Sequence, residues 1–133
     1  MAAYFRFQQE TPAGDVKFFT FKLVDEKKIS EARSKIENGD VLGNHVQGKI
    51  IRSIAPYNPE WSFHLDPNSI GFFSIQIEVC DSNVTYVEDH LDEIGGSTLP
   101  NFFWCPWSSK LFDEVTGEID PVTEKPIGNL RGI

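Results

Sequence analysis

Hydrophobic and polar positions alternate from the start of the chain. In Tyr4-Phe5-Arg6-Phe7-Gln8 the rings of Phe5 and Phe7 fall on one side, which predicts a strand. Thr11-Pro12-Ala13-Gly14-Asp15 is turn chemistry. Phe18 to Leu23 alternates again, with Phe19, Phe21 and Leu23 inward, so the two runs predict an antiparallel pair. Period then changes. Ile29, Ala32 and Ile36 form one helical stripe, with Asp25 placed to cap it and Gly39 to stop it. Lys28, Glu31, Arg33 and Lys35 make its solvated outer face. His45 to Ile54 predicts a third strand, the prolines of Ala55 to Glu60 an ordered loop, and Trp61 to Leu65 a short strand. The clearest strand signal is Ile70 to Val79, which places Phe73, Ile75, Ile77 and Val79 on one face. A second helix is predicted from Asp81, Ser82 or Asn83 through Ile94, closed by Gly95-Gly96, with Val84, Val87, Leu91 and Ile94 inward. Leu99 to Trp107 is too aromatic for a free loop and should fold back over the core. After Phe112 the chain turns polar and rich in turn residues.

These elements predict an α+β domain over residues 1–112, with an antiparallel sheet of about five strands and two packed helices. Residues 113–133 read as a polar tail or a terminal hairpin around Thr116-Gly117. A chain of 133 residues with eleven Phe can bury one core without staples.

Charge sharpens the picture. Net charge is −8, which argues against a nucleic-acid backbone or an anionic membrane as main partner. No run approaches the length of a membrane helix, so no membrane insertion is expected. MAAYFRFQQE has neither an apolar core nor a basic leader and does not read as a signal peptide. A mature secreted form and a cytoplasmic protein both fit. Cys80 and Cys105 flank one dense region, and whether they bridge depends on the redox compartment. Ser53 to Ser109 contains eight carboxylates and no Lys or Arg. Glu88/Asp92 and Asp89/Glu93 are like-charge pairs four apart, and the last acids sit where the helix dipole disfavours them.

The candidate surface is therefore His64, Asp66, Glu78, Asp81, His90 and Asp92, rimmed by Trp61, Trp104 and Trp107. Carboxylates supply charge and rings supply apolar area, a pairing that suits a cation, a glycan or a basic peptide. The expected role is a non-enzymatic binding module. The alternative is a hydrolase using a carboxylate pair such as Asp66 and Glu78, or a metal held by the same cluster. Asp81-x-Asn83-x-Thr85 with Asp89 and Asp92 copies oxygen positions of a calcium loop, but Tyr86 occupies the place of its bend glycine. The chain lacks a two-histidine zinc helix, a nucleophile elbow and a phosphate-cradling glycine loop. A third reading is architectural, with the rings packed inside and the polar groups bonding loops to the sheet.

FKLVDEKKISEARSKIENG, HVQGKII, APYNPEWSFHLDPNSIGFF, IEVCDSNVTYVEDHLDEIGG and FFWCPWSS resemble a small domain family. It occurs at the N-terminus of a cyclic-AMP-inducible amoebal protein and as stand-alone microbial proteins, often labelled calmodulin-binding. The similarity covers about Phe18 to Lys110. It implies a single small domain and many members that look secreted, and it brings no established catalytic residues to carry over. A calmodulin target is usually a basic amphipathic helix, whereas Val84 to Ile94 is acidic and the stripe of the first helix is needed by the core.

Overall fold

The structure is a computed structural model describing residues 1–39 and 42–128. Strands β1 (Ala3–Glu10) and β2 (Val16–Leu23) form the predicted antiparallel pair, with Phe5 opposite Phe21 and Phe7 opposite Phe19. The Phe7 and Phe19 rings stack at 5.2 Å. Helix α1 (Glu26–Asn38) begins where Asp25 accepts the Lys27 N–H at 2.8 Å. It ends at Gly39 in the left-handed region (φ 64°), whose N–H returns to the Ile36 carbonyl. Ile29 and Ala32 are buried on its inner face. Burial of an Ile side chain contributes about 1.5 to 3 kcal/mol, and this docks α1 on the sheet.

Strand β3 (His45–Ile51) is the centre of a second sheet. It pairs with β4 (His64–Leu65), β5 (Gly71–Phe73) and β8 (Phe103–Trp104), all antiparallel. Helix α2 (Val84–Asp89) precedes a parallel two-strand pair, β6 (Ile94–Gly95) and β7 (Thr98–Pro100). Strand β9 (Lys110–Glu114) closes the first sheet, whose order is β2-β1-β9. The class is α+β, in one small domain, but the strands make more than one sheet.

Three expectations change. Only Gly71–Phe73 of the predicted Ile70 to Val79 strand is paired. Strand β3 begins at His45, opposite Phe73, so among the described residues nothing continues the ladder. The chain then enters a 3₁₀ turn at Glu78–Cys80, leaving Ile75, Ile77 and Val79 90%, 65% and 58% exposed. The second helix stops at Asp89, and a 3₁₀ turn (Leu91–Glu93) replaces its predicted last turn. Anions at a helix C-terminus oppose the dipole, and that is where the helix ends. Finally, the boundary placed after Phe112 falls within β9. Val115 and Ile119 are buried beyond it against Tyr4, Ala55 and Tyr57. Thr116–Glu118 is a 3₁₀ turn, and an antiparallel bridge joins Ile119 to Pro126. Residues 129–133 of the predicted tail lie outside the described residues.

The core is continuous from β1 and β2 through α1, β3 and Trp104 to α2. Trp104 is its centre, meeting Phe7, Phe19 and Phe63 edge-on at 5.5–5.8 Å.

Candidate functional site

Trp104 and Trp61 are buried, so neither is presented to a ligand. Trp104 Nε1–H donates to the Ser82 carbonyl at 2.9 Å and holds the segment entering α2. Trp61 Nε1–H donates to the Phe18 carbonyl at 2.8 Å and ties its loop to β2. Trp107 is exposed, and its backbone N–H donates to Asp81 Oδ1 at 2.8 Å.

The polar residues divide between places. His64 Nδ1–H donates to the Ser53 carbonyl at 2.7 Å, with the ring edge-on to Tyr57. Asp66 accepts the Asn68 N–H at 3.0 Å, an Asx turn after β4. Glu78 opens its 3₁₀ turn on the surface, and Asp92 is exposed in the 3₁₀ turn after α2. Asp81 and His90, however, share a groove of about 630 Å³. Asn83 caps α2 by accepting the Thr85 N–H at 2.9 Å, which sets the helix along this groove. The other walls are Pro12 and the Ser97 to Pro100 segment.

Two groove residues, Tyr86 and Asp89, stand outside the surface expected from the sequence. Tyr86 lies flat on the His90 ring, 3.9 Å between centroids and 17° between planes. His90 Nδ1–H donates to the Tyr86 carbonyl at 2.8 Å, so the imidazole has a fixed orientation. Asp89 lines the same wall. The four-residue spacing of Tyr86 and His90 on a helix was the available signal.

Not every acid in the cation-free window faces solvent. Glu88 accepts the Ser62 N–H at 2.9 Å and the Ser62 hydroxyl at 2.7 Å, pinning α2 to the loop before β4. The missing cation arrives from just outside the window. Arg52 Nη1 donates to the Leu91 carbonyl at 3.3 Å and the Ile94 carbonyl at 3.5 Å. Its guanidinium lies 5.2 Å over the Phe102 ring. Phe102 packs so closely on Gly95 (φ 90°) that a Cβ there would overlap its ring.

Among the described residues no group of three or more His, Cys, Asp or Glu is gathered to hold a metal ion. Asp81 and Asn83, from the calcium-like spacing, each use a side-chain oxygen on a backbone N–H. Cys80 and Cys105 are joined in a disulfide, Cα atoms 5.1 Å apart, behind the Asp81–Trp107 bond.

Two ionic contacts away from the groove tie β9 and the segment after it to α1 and the first sheet. Arg33 Nε and Nη2 donate to the two Glu114 oxygens at 2.9 and 2.8 Å, and this pair, chiefly through those bonds, lowers the Glu114 carboxyl. Lys22 Nζ and the Tyr4 hydroxyl both donate to Glu124 and lower it likewise. Burial, and then Glu124, push the Tyr4 and Tyr57 hydroxyls up.

Fold and groove together define a small α+β domain with a cleft of mixed polar and apolar lining along α2. The chain belongs to the BP-74 N-terminal domain family, whose model matches residues 1–118. Neither a curated protein nor a solved structure matches the chain. No helix among the described residues is long and apolar enough to cross a membrane.

Proposed function

We propose that this domain is a non-enzymatic binding module that takes a basic segment of a partner protein in the groove along α2. One observation carries the reading. Asp81, Asp89 and the exposed ring of Tyr86 line a single groove to which, among the described residues, no Lys or Arg contributes. Carboxylates attract an ammonium or guanidinium group, and an aromatic face adds cation–π contact. The hydroxyls of Ser82, Thr85 and Thr98 supply further acceptors along the wall. A glycan remains an arm of the test, because hydroxyl- and carboxylate-bearing walls also suit it. A calmodulin-type partner would need the apolar stripe of α1, and Ile29 and Ala32 of that stripe are buried.

Titration with Lys/Arg-rich and neutral peptides, followed by fluorescence anisotropy, tests this. Basic peptides should bind, with affinity falling as salt rises. Asp89→Asn and Tyr86→Ala should each weaken binding by about tenfold, or 1.4 kcal/mol. Binding that ignores both substitutions, or no binding at millimolar peptide, removes the reading. Salt-insensitive capture of an oligosaccharide in a parallel array would replace the peptide with a glycan.

A further inference from the structure

The segment after β5 carries a strand pattern with no strand beside it. Ile75 and Ile77 project outward, while Gln76 turns back and its Nε2–H donates to Gln47 Oε1 of β3 at 2.8 Å. Ile77 has extended backbone angles (φ −74°, ψ 153°). Residues 74–77 pair with no other strand among the described residues, and β5 ends its sheet's strand order. The Ile77 N–H is taken by Gln76 Oε1 at 3.4 Å, and the rest of such an edge offers N–H and C=O groups together with two large apolar side chains. Beside it is a cleft of about 270 Å³ lined by His45, Phe73, Ser74, Ile75, Gln76 and Trp107.

We propose that this edge pairs with the same edge of a second copy of the chain, antiparallel about a two-fold axis at Gln76. The register is self-complementary. Ile75 falls opposite Ile77 of the second copy, and Gln76 opposite Gln76. Ser74 falls opposite the second copy's Glu78, so the two Glu78 carboxylates are kept apart. The Lys35 ammonium supplies the charge match. A Cβ placed on Gly43 would lie 3.2 Å from Lys35 Nζ and 3.4 Å from Ser74 Oγ, so the two groups are neighbours. Each Glu78 is thus brought toward Lys35 of the other copy, twice by symmetry. Within its own chain Lys35 has a 4.0 Å contact with Glu31, and its ammonium lies 6.0 Å over the Phe72 ring. Apolar contact in the cleft and strand pairing would hold the dimer, and the ion pairs would fix its register.

Sedimentation velocity from micromolar to millimolar concentration reads the dimer directly. Ile77→Asp should abolish it, with an unchanged thermal melt of the monomer because Ile77 is exposed. Ile75→Asp serves if that variant melts early. Glu78→Lys and Lys35→Glu should each raise the dissociation constant about tenfold. The double variant should restore it, since each pair is then re-formed with signs exchanged. A monomer throughout the range overturns the proposal and leaves the edge to another protein's strand. A dimer that survives Ile77→Asp, or a double variant no tighter than the singles, overturns it equally.

Discussion

Arg6 shows how far one side chain can depart from its pattern. Alternation along β1 puts it on the polar side, yet it is fully buried. The guanidinium lies 4.5 Å from the Phe18 ring and 5.5 Å from the Phe112 ring. Its Nε and Nη2 donate to Asp113 at 2.9 and 2.8 Å, and its Nη1 is buried with no acceptor. A cation so placed depends on its carboxylate, because a buried charge left unpaired is costly. Asp113→Asn is therefore expected to lower stability by about 3 kcal/mol in urea unfolding. Arg6→Met should cost less, since it removes the buried charge and leaves a carboxylate that still reaches water.

Among the elements, the disulfide organises the groove. It joins the 3₁₀ turn at Glu78–Cys80 to the chain just after β8, across 25 residues of sequence. Asp81 and the Trp107 N–H repeat the connection one step further out. Cys80→Ser/Cys105→Ser should lower stability by about 3 kcal/mol on the chain-entropy account. Equilibrium unfolding with and without reductant measures it. The parts readable in advance were those specified locally. Phe5, Phe7, Phe19 and Phe21 needed only a turn between them, and α1 carries its own cap and stop. The parts that were not readable depend on distant partners. Ile75 and Ile77 have a strand's pattern, but where β3 begins decides whether they are paired. The sequence groups His64, Asp66, Glu78, Asp81, His90 and Asp92 by chemical type alone, and of these six the fold brings Asp81 and His90 to one groove. Arg52, which meets the carbonyls after α2, stood one residue outside the window that looked empty of cations.

Across the whole molecule, acidity and stability are coupled through the ionic contacts of Glu114 and Glu124. Arg33 lowers Glu114, and Lys22 with Tyr4 lowers Glu124, below the ordinary 4.5. A carboxylate depressed in the folded state stabilises it above its unfolded value, and that stability is lost as pH falls through the folded value. The melting temperature should therefore hold through neutrality and drop below about pH 4.5. Glu124→Gln should flatten part of that drop. Tyr4 and Tyr57 are raised above the ordinary 10.0, so the folded state resists losing their protons. Stability falls again as pH climbs past that value. Thermal melts across the pH range, followed by circular dichroism, read both limits.

The order of strands in the first sheet bears on how the protein is made. Among the described strands β1 is the earliest in sequence, and β9 beside it is the latest. The Tyr4 N–H donates to Thr116, 112 residues later. At about 5 to 20 residues per second, Phe5 and Phe7 wait on the order of ten seconds for that neighbour. Over that interval β1 is without its β9 neighbour, and translation pauses before β9 would lengthen the exposure of that edge.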